Sequence, residues 1–328
     1  MYKGEIFSMK KNMTNEAFVT GYIYSHDLKE KVTGSTSKNP GTEFIQGTLN
    51  IVTDNAGLNV VPIYYSYVTA TTKNGGPNNT YNVLKNIIDG KFKTVMNDGK
   101  ENATMVRCNT AVELNDWFDP RNNDALVSTK RLTGGFIHVE TALPEDESKR
   151  ATFKVDIVIT NVREQEADAE KDIPAKVIIK GAVFNFRNAL LPMEFSATDP
   201  AAMNYFLSLD ASNSNPIFTQ FWGEIISQTI VKVTTEESAF GEALVKKTRS
   251  SYKDYVVKGA KPDLYEWDTE NSILGSEFAA AIAEREVYLA AEKQRTMEYR
   301  ASKGNAITAA AAKPVTGGVV TAKGTYNF

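Results

Sequence analysis

Residues 44–52 read FIQGTLNIV, and residues 177–186 read VIIKGAVFNF. Both stretches run two apolar residues, a polar one, a glycine and a small residue into alternating apolar positions, the period of a half-buried strand. Aligning Gly47 with Gly181 and extending outward tests whether the match is accidental. Downstream, VPIYYS (61–66) meets LPMEFS (191–196): apolar, proline, apolar, any residue, aromatic, serine. Upstream, FVTGYIYSHDLKEK from Phe18 meets FKVDIVITNVREQE from Phe153. Three blocks recur in one order, so the chain carries an internal duplication.

After the third block each copy changes period. In NTYNVLKNIIDG the residues Tyr81, Leu84, Ile87 and Ile88 share a face at helical spacing, with Asn79 or Thr80 as cap. DPAAMNYFLSLDAS places Met203, Phe206 and Leu207 likewise, with Asp199 as N-cap and Pro200 at the first helical position. Strand-like sequence then returns: ATMVRCNTAVELNDWF and GGFIHVETAL in the first copy, IFTQFWGEIISQTIVKV and SYKDYVVKG in the second. Each copy therefore reads strand, strand, strand, helix, strand, strand. That order predicts a mainly β chain with some α: two tandem OB-fold-like five-stranded barrels, residues 13–145 and 146–262. A C-terminal helical segment (263–304) and a flexible tail (305–328) follow them. Two unrelated β-sandwich domains with incidental helices are the competing arrangement. A glycine in the middle of the second strand suits a small barrel, whose strands bend sharply.

Composition narrows the chemistry. The chain has 328 residues, 42% of them hydrophobic and 23% charged, and a formal net charge of −3, which disfavours a wholesale polyanion binder but permits a locally basic groove. No apolar run reaches the roughly 20 residues that span a bilayer, and no secretory signal is evident, so a cytoplasmic protein without membrane association is expected. Cys108 is the single cysteine and His26 and His138 are the two histidines, too few for a usual zinc site. Cys108 falls at a strand position and reads as a small buried hydrophobe. No nucleophile elbow, phosphate loop or dinucleotide fingerprint is present, so neither an enzyme nor a cofactor is expected. The first codons read as upstream sequence, residues 1–12 being an N-terminal extension with Met9 as the translation start.

A barrel of this kind presents the face around its second and third strands, flanked by loops, and single strands of nucleic acid bind such faces by stacking bases on rings and placing phosphates near cations. Alternation turns Tyr22, Tyr24 and Tyr64 outward in the first copy, and Lys180, Phe184 and Phe186 in the second, with Arg187 following. Phe184 and Phe186 equally fit packing against the other domain or the C-terminal helix. Cations come from loops: Lys29, Lys31 and Lys38 in a loop that reads as mobile; Arg121, Lys130 and Arg131 around a later loop near Trp117 and Phe118; Lys246, Lys247, Arg249 and Lys253 beside Tyr252.

The stretch GTEFIQGTLNIVTD (41–54) with VVPIYYSYV (60–68), its partner VIIKGAVFNF and the overall length together resemble the single-stranded DNA-binding proteins encoded by bacteriophages of low-GC bacteria, over roughly residues 13–300. The resemblance implies sequence-tolerant ssDNA binding in the cytoplasm of a bacterial host during phage DNA replication or recombination, with replication or recombination proteins as partners. A phage structural or protein-interaction module is the alternative. From Ser276 the sequence SEFAAAIAEREVYLAAEKQRTMEYRASKG reads as one helix stopped at Gly304. Its narrow stripe of Phe278, Ile282 and Leu289 would dock on a barrel or form a homo-oligomer. The chain ends at Phe328 but carries Lys313 and Lys323 where bacterial single-strand binders have an acidic run, which weakens any carry-over of tail-mediated recruitment.

Overall fold

In the computed structural model, residues 12–167, 174–236, 238, 240–242, 244–269 and 272–311 are described; the side chains of 230–234, 236, 244, 246–250 and 303–311 are not. The chain is mainly β with few helices. Among the described residues the first copy runs β1 (Asn15–His26), β2 (Lys29–Val32), β3 (Glu43–Val52), β4 (Val60–Thr69), α1 (Asn79–Ile88), α2 (Val95–Asp98), β5 (Met105–Asp119) and β6 (Ala125–Val139). The second runs β7 (Ala151–Gln165), β8 (Lys176–Phe184), β9 (Leu190–Ala197), α3 (Pro200–Ser208), β10 (Ile217–Glu236) and β11 (Leu244–Ala260), and α4 (Gly275–Ala311) follows.

All the strands belong to one hydrogen-bonded sheet, and its pairings close two circuits. In the first, β1 pairs with β3, β3 with β4, β4 with β6, β6 with β5 and β5 with β1; the β4–β6 pairing is parallel and the rest antiparallel. In the second, β7, β8, β9, β11 and β10 follow the same order back to β7, again with the third-to-fifth pairing (Ser196 with Val256) parallel. The circuits join where β1 pairs with β7, from Asn15 opposite Val155 to Val19 opposite Ala151.

Alternation fills both interiors. Val19, Ile23, Ile45, Leu49, Ile51, Val61, Ile63 and Tyr65 point into the first with Leu84 and Ile87 of α1. Phe153, Phe195, Phe206 of α3 and Phe221 pack in the second, Phe195 and Phe221 with centroids 4.9 Å apart. At roughly 1.5–3 kcal/mol per large apolar side chain removed from water, these two stacks hold the circuits shut. Cys108 is fully buried, 4.0 Å from the Tyr65 hydroxyl, and burial pushes its thiol up to about 12.

The duplicated glycines answer two different needs. Gly47 adopts φ 139° beside a register shift in the β3–β4 pairing, and a Cβ there would stand 2.8 Å from the Asp27 carbonyl oxygen. Gly181 has no such φ; a Cβ there would meet the Val158 carbonyl oxygen of β7 at 2.4 Å. The first bends its strand, and the second permits close approach of a neighbour.

Several local expectations shift. The cap of α1 is Asn78, whose side chain accepts from the Thr80 amide, one residue before the predicted position. Asp199 caps α3 as predicted, accepting from Ala201 and Ala202, with Pro200 in the first turn. The segment predicted as a mobile first loop contains β2, paired along β3 from Lys29 opposite Gln46 to Val32 opposite Glu43. The final helix begins at Gly275, one residue before the expected start at Ser276, and passes the expected stop at Gly304 to reach Ala311. One glycine costs only about 1 kcal/mol relative to alanine inside a helix, and the alanine-rich sequence after it offsets that. Residues 1–11, with the Met9 start, and 312–328 lie outside the described residues. No helix among the described residues is long and apolar enough to cross a membrane.

Candidate nucleic-acid interface

The outer face of the first circuit is open. In an antiparallel pair, residues opposite one another share a face, so Lys29 and Lys31 on β2 stand on the same face as Gln46 and Phe44 of β3. Both lysines are exposed, whereas Glu30 between them turns the other way, to Lys85 (3.0 Å) and Tyr81 of α1. Lys38 is exposed in the turn between β2 and β3.

On β4, Tyr64 is 37% exposed, and Tyr67 is exposed with its ring 4.7 Å from that of Phe44. Simple alternation puts Tyr67 inward with Tyr65. The register steps from Val68 opposite Ile45 to Tyr65 opposite Gly47, leaving Ser66 and Tyr67 across from Gln46 alone. That bulge turns Tyr67 outward. Sequence reasoning missed Tyr67 because a period of two has no signal for an inserted residue, whereas Phe44 shares the outward parity of Gln46, a signal that alternation does carry.

The face continues into a trough of about 720 Å³ lined by Tyr24, His26, Thr48, Asn50, Tyr64 and, across the gap, Ser227 and Lys253 of the β10–β11 ribbon. Asn50 donates to Ser25 Oγ at 3.0 Å. Asp27 is the carboxylate along this lining, and it also accepts from the Thr48 amide. Burial lowers the His26 imidazole below its ordinary value against the opposing pull of Asp27, and its buried Nδ1 has no hydrogen-bond partner.

Asn59, in the connection between β3 and β4, ties the ribbon to the first circuit. Its amide donates to the Ile225 carbonyl (3.2 Å) and Thr53 Oγ1 (2.8 Å), and its Oδ1 accepts from the Ser227 amide (2.6 Å). The trough opens into a second cavity of about 440 Å³ at the junction of the circuits, sharing Pro62, Tyr64, Ser227 and Lys253 with it. Arg131 lies over the Tyr64 ring, its Cζ 5.7 Å from the centroid.

Tyr24, Tyr64 and Arg131 thus line the trough or the cavity beside it, Lys29 and Lys31 stand on the adjoining face of β2 and β3 with Lys38 in the turn between those strands, and Lys253 of the predicted second-copy cluster joins the trough. Other candidates lie elsewhere. Tyr22 sits under Lys100, whose Nζ is 5.6 Å from its centroid and donates to the Asn55 carbonyl at 2.7 Å. Lys130 and Arg131 sit within β6, not at a loop, because β5 and β6 pair as far as Asp119 and Ala125. Lys130 turns into the junction, donating to the Glu194 carbonyl and lying over the rings of Phe195 (5.2 Å) and Tyr255 (4.7 Å). Trp117 is half-exposed near the tip of that hairpin, and Arg121 there is paired with Asp119 at 3.2 Å. Tyr252 donates to Asp254 at 2.8 Å under Lys176, and burial raises its hydroxyl pKa. The side chains of Lys246, Lys247 and Arg249 lie outside the described residues.

In the second circuit the corresponding face is covered. Lys180 is exposed, but Ala182 and Phe184 are buried beneath α4 and the segment before it. Phe184 is fully buried, its ring centroid 6.5 Å from that of Phe278, with Ile273 and Ala281 in the same cluster. The packing alternative therefore holds for Phe184, which corrects its assignment as an exposed stacking ring. Phe186 falls past the end of β8, 83% exposed, with the Arg187 guanidinium 5.0 Å from its centroid.

Beyond this cluster α4 runs along the β5–β6 hairpin. Arg285 pairs with Asp116 at 2.7 Å, both side chains almost fully buried; Lys293 lies over Phe118; and Arg300 binds Asp124 and the Phe118 carbonyl. The contact face is Phe278, Ala281, Arg285, Lys293 and Arg300, while Ile282 of the predicted stripe is 41% exposed. Spacing by apolar residues alone failed because three of these five contact residues, Arg285, Lys293 and Arg300, are charged.

A family model described as YorF matches residues 14–295. No curated protein matches the sequence. Two solved structures similar to this chain are a deletion mutant and the wild-type form of the single-stranded DNA binding protein from Thermus aquaticus, each at 11% identity and a TM-score of 0.42. The mutant comparison covers 77% of this chain and 96% of that one, and the wild-type comparison 76% and 93%.

Proposed function

We propose that this chain, which belongs to the YorF family, binds single-stranded DNA on the outer face of its first circuit and in the trough beneath the β10–β11 ribbon. One observation carries the reading: that surface gathers Phe44, Tyr67, Tyr64 and Tyr24 between the cations Lys29, Lys31, Arg131 and Lys253. Rings accept the flat face of any base, and cations follow the phosphates without reading sequence. The pairing order, with third and fifth strands parallel in each circuit, supports reading the two circuits as tandem OB barrels, whose second and third strands are the usual seat for oligonucleotides.

The role is non-enzymatic coating of single strands during phage DNA replication or recombination in a bacterial host cell. It is asymmetric: the first barrel holds the strand, and the second supplies the ribbon while its own matching face carries α4. Val287, 71% exposed on α4, favours a subordinate reading in which the helix meets a protein partner.

Titration of fluorescent oligo-dT and of duplex DNA at two salt concentrations tests the function. Oligo-dT is expected to bind far more tightly than duplex, and log affinity to fall with log salt at a slope of about −0.7 per neutralised phosphate. Equal affinity for the two at low salt contradicts it.

A further inference from the structure

The junction cavity is a chamber distinct in chemistry from the open face. Its walls come from β4, β5 and β6 of the first circuit and β10 and β11 of the second. At about 440 Å³ it falls within the roughly 300–1,000 Å³ of small-molecule sites. Three cations line it, Lys130, Arg131 and Lys253, and no carboxylate among the described residues does. Arg131 gives one Nη to Asn115 Oδ1 at 2.9 Å, and its buried Nε has no partner. Lys130 makes its contacts to a carbonyl oxygen and two ring faces, so its charge meets no carboxylate directly. Two half-buried cations, Lys130 and Arg131, with exposed Lys253 at the same cavity and an unused buried donor on Arg131, are arranged for an anion. Tyr64, shared with the trough, offers a ring at the entrance.

We propose that this cavity is a single-nucleotide subsite, taking one phosphorylated unit with its phosphate on Lys130, Arg131 and Lys253 and its base against Tyr64. The inference rests on the ssDNA reading and deepens it: one nucleotide of the bound strand leaves the open face and enters between the circuits, so that occupancy bridges them.

Protonation supplies a signature. Burial brings Lys130 down to about 8. The charged groups around it are Glu194 on β9, Lys176 on β8 and Asp254 on β11, with Arg131 beside it and Lys253 and Tyr255 on β11. Burial pushes the Asp254 carboxyl up, but the hydrogen bond and charge of Lys176 outweigh it and hold the group below its ordinary value. Burial raises Tyr255 well clear of the neutral range. A phosphate favours the ammonium form of Lys130, so binding takes up a proton and weakens as pH rises through 8.

The test is calorimetric titration of the full chain with thymidine 5′-monophosphate at pH 7 and pH 9, beside oligo-dT. The expected result is one bound nucleotide per chain, affinity falling several-fold from pH 7 to pH 9, at least tenfold weaker binding in Lys130→Met at pH 7, and a flat pH response in Lys130→Arg. Oligo-dT binding without any mononucleotide binding overturns the subsite and leaves the ssDNA reading standing. Mononucleotide binding equal in all three proteins overturns the placement at the junction. Failure of both ligands overturns the subsite together with the reading beneath it.

Discussion

Phe184→Ala is expected to destabilise the fold by about 3–5 kcal/mol, the usual cost of removing a fully buried phenylalanine, without changing the ssDNA affinity of the protein that remains folded. The ring is 0% exposed and is enclosed by Phe278, Ile273 and Ala281. Its loss leaves a cavity where α4 joins the second circuit, a region already stiffened by strands on one side and the helix on the other. Denaturant unfolding measures the first quantity and oligo-dT titration below the unfolding transition measures the second. A large drop in affinity at unchanged stability would put Phe184 in contact with DNA and show that α4 leaves that face.

Tyr24→Ala combined with Tyr64→Ala is expected to do the reverse. Loss of base stacking costs about 1–3 kcal/mol per ring, so the pair should weaken oligo-dT binding by about 2–6 kcal/mol if the two contributions add. Stability should change far less, because Tyr64 is 37% exposed and Tyr24 lies half-buried at the trough. The salt slope should stay near its original value, since no phosphate contact is removed. Affinity within threefold of the original protein would move the binding surface away from the trough.

Much of the fold was legible in the duplication. Matching Gly47 to Gly181 aligned the three leading strands of each copy, and the change to helical spacing located α1 and α3. Elements contributed by only one copy were harder. β2 has the polar composition of a loop, KEKV, and is a strand because β3 offers it an unpaired edge. The length of the β5–β6 hairpin was hidden too: the polar turn run DPRNND (119–124) marks a loop, but nothing in the flanking sequence shows that the two strands pair right up to it, as far as Asp119 opposite Ala125.

The site divides along the same line. Tyr24 and Tyr64 follow from alternation, Tyr24 despite the register shift it occupies in the β1–β3 pairing, whereas Lys29 and Lys31 are legible as cations of a polar run and not as strand residues. Tyr67 escapes alternation through the bulge at Ser66, and although Lys253 is legible as a cation of the second copy, its place opposite Tyr24 and Tyr64 depends on the approach of one circuit to the other. Phe184 was misassigned for a related reason. Alternation tells which face of a strand a residue occupies, but whether that face meets solvent or a helix is decided by α4, about ninety residues later, on the scale of the long-range contacts that single-strand patterns do not encode.

Ultraviolet cross-linking of oligo-dT to the full chain, with cross-linked peptides mapped by mass spectrometry, locates the bound strand directly. Adducts are predicted on the β1 and β4 segments that carry Tyr24, Tyr64 and Tyr67, with none on the peptide containing Phe184. Adducts concentrated on residues 176–187 of the second circuit, with the β1 and β4 peptides unmodified, would contradict binding on the first.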